Sequence, residues 1–341
     1  MKYDAILVAS FGGPESPEDV MPFLENVLRG KNVPRERMLE VAEHYYHFGG
    51  KSPINDQNRQ LIAAIEAELD QHGPGLSIYW GNRNWHPMLT DTLRKMKADG
   101  VRRALAFVTS AYSSYSGCRQ YREDIARAQE LAGEGAPIVD KIRAFHNHPG
   151  FVEAVADRVR ESLESIPQER REAAHLIYTA HSIPTAMAQG CDYEKQLKET
   201  GRLVAEKLGR KEWRLVYQSR SGPPSQPWLD PDILDCLREI KSLGGSSDVV
   251  IVPIGFVSDH MEIIFDLDTE AAELCTELGL HMERAKTVGT HPSFIRMIRQ
   301  LICERIDDNN IRLALGVLGP RPDICASDCC PTPRRPQAGV N

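Results

Sequence analysis

Short unbroken apolar runs alternate along this chain with stretches of helical spacing. Ala5 to Ser10, Leu76 to Gly81, Arg103 to Thr109, His175 to Ala180, Trp213 to Gln218 and Asp248 to Ile254 are the apolar runs. Runs this long without polar alternation suit strands of a parallel sheet buried on both faces. Between them, Gln57 to Gln71, Pro87 to Asp99, Phe151 to Ile166, Tyr193 to Leu208 and Asp232 to Leu243 carry apolar residues at helical spacing. The alternation predicts an α/β fold with helices on both sheet faces.

The pattern also repeats. Ser77 to Pro87 reads strand, polar turn and proline, then leads through a helix to the strand Ala104 to Val108. Leu215 to Pro223 leads in the same way to Val249 to Pro253. Ile6 to Ser10 before Phe11-Gly12-Gly13-Pro14 matches Leu176 to Ala180 before His181-Ser182-Ile183-Pro184. Two similar Rossmann-like domains follow, each a parallel sheet with helices on both faces, with a cleft between them. The division falls near Ala136 to Ile142. The expected units are 1–137, with an insertion at 25–55; 138–285; a helical segment, 286–319, packing back on the core; and a Cys/Pro-rich tail, 320–341. The insertion carries Arg29, Lys31, His44, Tyr45, Tyr46 and His47, and long insertions in compact domains often serve as lids or binding loops.

Composition narrows the function. With 41 Lys and Arg against 48 Asp and Glu in 341 residues, the net charge is −7. A dedicated nucleic-acid binder would carry a basic footprint instead. The longest apolar stretch, Val249 to Val257, is broken by Pro253 and Gly255 and falls far short of the roughly 20 residues of a membrane helix. The start, Met-Lys-Tyr-Asp, lacks a signal-peptide pattern. A cytoplasmic protein without membrane insertion is expected. In that compartment cysteines stay reduced unless they bind metal or do chemistry.

Ligands of open parallel sheets bind beyond the carboxyl ends of the strands. Four such loops hold unusual residues: Phe11 to Pro14, Ser110 to Tyr121, His181, and Phe256 to Glu262. His181 at a strand end can accept a proton near neutral pH or ligate a transition metal. Glu262, Asp266 and Glu270 recur every four residues, so a helix aligns them on one face, with Asp268 close by. One reading of this row is a solvated acidic face. The other is a path for a divalent cation or for protons, favoured by the interleaved Ile263, Ile264, Phe265 and Leu267. A mixed N/O site of His181 and Glu262 suits Fe²⁺ or Zn²⁺ better than Ca²⁺. The fingerprints G-x-G-x-x-G, G-x-x-x-x-G-K-[ST] and G-x-S-x-G are absent, which argues against NAD, P-loop and serine-hydrolase chemistry.

From Lys2 to Gly319 the chain resembles the ferrochelatases, chelatases that insert Fe²⁺ into a porphyrin. The resemblance rests on Ser10 to Pro14, Lys51-Ser52-Pro53-Ile54-Asn55, Tyr115 to Tyr121, Ala180 to Pro184, Tyr217-Gln218-Ser219-Arg220 and Val252 to Glu262. It implies a chelatase-like pair of domains with a porphyrin in the cleft. It implies that His181 and Glu262 ligate iron and handle the pyrrole protons, that Asp266 and Glu270 extend the metal row, and that Ser52 and Tyr121 contact the macrocycle or its propionates. Arg29 matches a basic propionate contact, to which Lys31 would add, while Phe11 and Tyr45 hold the ring faces. Where some members carry an iron-ligating Tyr, this chain has Phe11, which cannot ligate.

The wording of Phe11 to Glu15 and Pro22 to Val27 looks most like the actinobacterial branch, whose substrate is coproporphyrin III. Some members hold a [2Fe–2S] cluster on one internal and three C-terminal cysteines, matched here by Cys118 with Cys325, Cys329 and Cys330. Other readings of that tail are a Zn²⁺ site or free thiols. The resemblance thus implies a coproporphyrin III ferrochelatase of haem biosynthesis; a monomer, in transient contact with neighbouring haem-pathway enzymes, is the separate expectation for its assembly. The competing readings are a protoporphyrin IX ferrochelatase, a non-catalytic tetrapyrrole or metal carrier, and a cobalt or nickel chelatase.

Overall fold

The computed structural model describes residues 2–30, 33–223, 225–307 and 310–332. Among the described residues, eight strands form two four-stranded sheets. The first contains β1 (Ala5–Ser10), β2 (Ser77–Asn82), β3 (Arg103–Val108) and β4 (Ile138–Lys141). The second contains β5 (His175–His181), β6 (Arg214–Gln218), β7 (Asp248–Val252) and β8 (His281–Arg284). All pairings are parallel, and the orders β2-β1-β3-β4 and β6-β5-β7-β8 are the same topology twice. The duplication read from the sequence is therefore a duplication of Rossmann-like domains.

Two strands escape the sequence pattern, β4 and β8. Each is a four-residue edge strand with mixed polarity, Ile-Val-Asp-Lys and His-Met-Glu-Arg, too short to show a period. Because β4 pairs with β3, the first sheet runs past residue 137, where the sequence reading divided the chain.

Alternate residues of each central strand enter different cores. Ile6 and Val8 of β1 face a large core shared by both sheets, whereas Ala5, Leu7 and Ala9 face helices on the outside of the first sheet. In the second sheet Leu176 and Tyr178 face the shared core, and Ile177 the outer one. The shared core is filled by Leu61 and Ile65 of helix Ile54–His72, Phe151 and Val155 of helix Pro149–Glu164, Leu197 of helix Tyr193–Lys207 and Phe294 of helix Pro292–Ile306. Phe107, Phe145, Phe151 and Phe294 form its aromatic centre, with ring centroids 5.5–6.3 Å apart. Both sheets thus bury their facing sides against the same helices, which fixes the two domains against each other.

The insertion holds helix Arg35–His47, which packs on the preceding helix Pro17–Val27 in a small separate core around Val20, Phe23, Leu24 and Ala42. Lys31 lies outside the described residues. Among the described residues, 310–332 contain no helix or strand, yet they are held to both domains. Asn147 donates to the Leu315 and Gly319 carbonyls at 3.0 and 2.9 Å, Glu199 accepts from the Val317 amide at 3.0 Å, and Arg321 pairs with Asp192 at 2.8 Å. Among the described residues no helix is long and apolar enough to cross a membrane.

One buried ion pair fastens the C-terminal helix. Arg143 donates to both carboxylate oxygens of Glu304 at 2.8 and 2.9 Å and to the Leu313 carbonyl at 2.7 Å, with the paired side chains only 1% and 4% exposed. Removing one partner leaves an uncompensated buried charge, at a cost of about 3–5 kcal/mol. Glu304→Ala should therefore lower the denaturation midpoint sharply. An unchanged midpoint in a urea titration would show that the pair is not holding the helix.

Candidate active site

The last residue of β5 is His181, whose strand lies at the centre of the second sheet. Its Nδ1 bonds to the Ser182 carbonyl, so the ring proton sits there and Nε2 points away from the backbone. Nε2 lies 3.4 Å from Glu262 Oε1. Glu262 follows the loop after β7, in the first turn of helix Met261–Phe265. His260 caps that helix, its Nδ1 accepting from the Glu262 amide at 3.2 Å. The buried Tyr193 donates to the His181 carbonyl at 3.1 Å.

A π-helical turn, Asp266–Ala271, continues helix Met261–Phe265. In an α-helix four residues overshoot a turn by about 40°. The wider π turn takes up that overshoot and keeps Glu262, Asp266 and Glu270 in one row. The row runs outward, from half-buried Glu262 and Asp266 to exposed Glu270. Asp268 leaves it and pairs with Arg284 at 2.5 Å. Ser219 donates to Asp266, and does so from a left-handed backbone with φ of 62°. A non-glycine residue in that region costs on the order of 1 kcal/mol, which the surrounding contacts must offset. Gln218 spans the row, donating to the Glu262 carbonyl at 3.0 Å and to Asp266 at 3.4 Å.

The charges set the protonation states. Burial disfavours a charged His181, but the Glu262 carboxylate, the Ser182 carbonyl and Asp266 outweigh it and raise its pKa to about 9. Burial likewise opposes Glu262 ionisation, and His181 and His260 overcome it, lowering its pKa to about 2. His260 is pushed below its ordinary value by burial and by His181, against the opposing charge of Glu262. Burial raises Asp266 to about 7, with Glu262 and Glu270 adding to the rise and Ser219 opposing it. Burial also raises Glu270, aided by Asp232 and Glu273. One pair is thus held charged, and the next carboxyl titrates near neutrality.

The facing wall comes from the first domain. Phe11 follows β1 and is 38% exposed, with Phe23 in edge contact at 6.2 Å. The glycines after it serve packing: a Cβ on Gly13 would lie 2.7 Å from Ile54 Cγ2 and 2.8 Å from Ser52 Cβ. Ser52 is buried and its hydroxyl oxygen accepts from the Ile54 amide at 3.5 Å, while Tyr121 lies buried under Arg83, 4.5 Å from its ring centroid. Arg29 is exposed and bonds to Asn26. Tyr45 packs edge-on to Phe23 at 5.8 Å, and burial and the Glu262 charge push its phenol up. Its neighbour His44 stacks on Phe265 of the second domain, centroids 3.6 Å apart. A cavity of about 480 Å³, lined by Glu43, His44, Tyr46, His47 and Phe265, opens beside that stack.

Two site neighbours were not singled out from the sequence as functional, although both sit in the repeated turn motif. Arg83 after β2 lies over Phe11 and Tyr121 and pairs with Asp124 at 2.5 Å, with its side chain 6% exposed. Ser219, in the matching turn after β6, reaches Asp266. The repeat itself was the signal.

The tail thiols gather away from this pair. Cys118 lies in the π-helical turn Tyr115–Arg119, and a hydrogen bond from Cys325 holds its pKa at about 5 against burial, aided by Lys141. Burial, then Cys118, Cys329 and Cys191, raise Cys330 to about 12. Arg119 donates to the Cys329 carbonyl at 3.2 Å. As placed, no three His, Cys, Asp or Glu side chains among the described residues close round a metal ion.

The ferrochelatase family model matches residues 3–306. The chain belongs to the ferrochelatase family. It is 61% identical over 335 residues to a ferrochelatase of Rhodopirellula baltica, covering 98% of this chain and 95% of that one. It is 50% identical to a coproporphyrin III ferrochelatase of Streptomyces coelicolor, covering 99% of this chain and 96% of the other. Its fold matches SirB from Bacillus subtilis with Fe³⁺, at TM-score 0.56, 14% identity and 89% and 96% coverage. The siroheme-pathway enzyme CbiX matches at TM-score 0.51 and 13% identity, over 89% of this chain and all of the other. Ferrochelatases are metal chelatases, and this chain is one.

The charged pair gives a pH signature. His181 rises from 6.5 to about 9, so its contribution to stability is whole below pH 6.5 and fades as pH climbs through 9. Glu262 falls from 4.5 to about 2, so its share is whole above pH 4.5 and fades as pH drops through 2. Glu262→Gln should therefore cost most stability between pH 4.5 and 6.5 and less toward pH 9, read as denaturation midpoints across pH. A cost that stays constant up to pH 9 would mean the pair is not charged as described.

Proposed function

We propose that this chain inserts Fe²⁺ into coproporphyrin III, with His181 and Glu262 as the catalytic, iron-handling pair. The observation that carries the reading is the 3.4 Å approach of His181 Nε2 to Glu262 Oε1 at the head of an outward carboxylate row. The 50% identity to coproporphyrin III ferrochelatases supports the choice of substrate.

Metallation exchanges two pyrrole N–H protons for one Fe²⁺, so a base and a metal ligand must stand at the ring centre. Glu262, ionised at neutral pH, offers oxygen to the dication. As Fe²⁺ approaches, His181 gives up its Nε2 proton along the row, through Asp266 to exposed Glu270 and solvent, which frees Nε2 as a nitrogen ligand. Glu262 and His181 then take up the pyrrole protons as the metal passes to the ring. Asp266, titrating near 7, passes those protons on to exposed Glu270. The same two oxygen donors form the metal row, since oxygen ligands release a hard cation readily. Phe11 and Tyr45 are proposed against the ring faces. Ser52, Tyr121 and Arg29 are proposed as macrocycle or propionate contacts.

Cys118, Cys325, Cys329 and Cys330 are proposed to hold a [2Fe–2S] cluster. The depressed Cys118 thiol, bonded to Cys325 and feeling Cys330, suits thiolate ligation. When bound, such a cluster supplies a one-electron couple and a tie between tail and first domain. A monomeric, cytoplasmic enzyme completes the reading.

Anaerobic Fe²⁺ insertion followed at the Soret band, with coproporphyrin III and protoporphyrin IX side by side, tests it. Coproporphyrin III should turn over at least tenfold faster, and His181→Ala or Glu262→Ala should each cost at least a hundredfold in kcat. Preference for protoporphyrin IX would move the chain to the other haem route. Ring binding without metallation would make it a carrier. Cys325→Ser should abolish the visible absorption of the cluster, and purified wild-type protein lacking that absorption would overturn the cluster assignment.

A further inference from the structure

The loop that carries the metal turn is held from outside its own domain. It leaves β7 at Pro253 and ends at His260, the cap of helix Met261–Phe265. Tyr112, from the first domain, donates to the Ile254 carbonyl near the start of the loop at 2.9 Å. Gln57, also from the first domain, accepts from the Asp259 amide at its end through Oε1 at 2.8 Å. Because the partner is an N–H, the Gln57 amide must present its oxygen. Asp259 is three residues from Glu262.

Gln57 sits in the first turn of helix Ile54–His72. Five and three residues before it lie Ser52 and Ile54, against which Gly13 of the Phe11 loop packs closely. That helix therefore carries, at one end, both the wall facing the cleft and the acceptor that fixes Asp259. The rest of Asp259 looks the other way: its carboxylate pairs with Arg284 at 3.3 Å, and Arg284 pairs with Asp268. The loop amide thus answers to the first domain and the loop side chain to the second.

We propose that Gln57 is a positioning residue for metal insertion: by accepting the Asp259 amide it sets His260 and Glu262 at a fixed depth relative to the Ser52–Ile54 wall. The inference rests on the reading of Glu262 as an iron-handling group. Gln57 reaches the reaction only through the Asp259 main chain. Its loss misplaces Glu262 against a ring bound to the other wall, leaving ring binding itself intact. A displacement of about 1 Å at a reacting group can cost up to a hundredfold in rate.

Three variants separate this role from a general structural one. Gln57→Met keeps the length and removes the acceptor; Gln57→Glu keeps an acceptor oxygen; Gln57→Ala removes both and serves should Gln57→Met fail to fold. In the full-length protein, Gln57→Met and Gln57→Ala should lower kcat for anaerobic Fe²⁺ insertion about tenfold. The porphyrin dissociation constant, from fluorescence quenching, should stay within about twofold, because no ring contact is removed. Gln57→Glu should restore kcat to within about threefold of wild type, because the amide bond is kept. Wild-type kcat in the acceptor-less variants would overturn the proposal. So would equal impairment of Gln57→Glu and Gln57→Met, or a parallel loss of porphyrin binding. A Glu262→Gln control that keeps full insertion would instead overturn the reading of Glu262, which distinguishes the two failures.

Discussion

The shared apolar core between the two sheets governs everything at the cleft. Phe11 follows a strand of the first sheet, and His181 and Glu262 follow strands of the second, so each domain supplies one side of the cleft. Two Rossmann-like units joined by a flexible linker would leave that spacing to chance, since interdomain motion is the default when an interface is small or polar. Here the facing sides of both sheets are buried on one set of helices, with Phe107, Phe145, Phe151 and Phe294 at the centre. Close-packed interiors transmit strain and resist sliding. The carboxyl edges of β1 and β5 are therefore held at one separation, and the fine adjustment falls to side chains that cross between domains at the rim, such as Tyr112, Gln57 and Gln196.

On that rigid frame the electrostatics form a gradient. His181 and Glu262 hold opposite charges in contact and stabilise one another against burial. The next carboxyl outward, Asp266, accepts from the Ser219 hydroxyl and the Gln218 amide, and burial with two neighbouring carboxylates keeps it half protonated near neutrality. Glu270, exposed at the end, meets solvent. A row of like charges would destabilise an ordinary helix. The π turn holds the row straight, and the left-handed backbone of Ser219 brings its hydroxyl to the middle carboxyl. Local strain of this kind collects where function requires it.

Much of this was legible from residue order. The central strands β1, β3, β5 and β7 are nearly continuous apolar runs because both faces are buried, and period-free runs are easy to read. The duplication showed because corresponding strand ends bear the same turn types. His181, Glu262 and Asp266 stood out through strand-end position and spacing. Three things did not show. β4 and β8 are too short and too polar to carry a period. The π turn leaves no mark that separates it from an α-helix with the same four-residue spacing. Gln57 and Arg83 act through partners 202 and 41 residues away, and such pairings exist only once the chain is folded. Asp268 shows the converse error: spacing placed it near the row, and Arg284 takes it out.

The C-terminal helix has a consequence for how the protein is made. Helix Pro292–Ile306 fills the core against which the first sheet is buried, and Arg305 reaches back to Tyr3 at 3.0 Å. Those residues leave the ribosome about 150 positions after β4, the last strand of that sheet. At 5–20 residues per second the delay is roughly eight to thirty seconds. During that interval the first domain has all of its strands but lacks part of its interior, so its apolar inner face waits uncovered. The amino-terminal half therefore completes its interior only when the carboxyl-terminal helix has emerged.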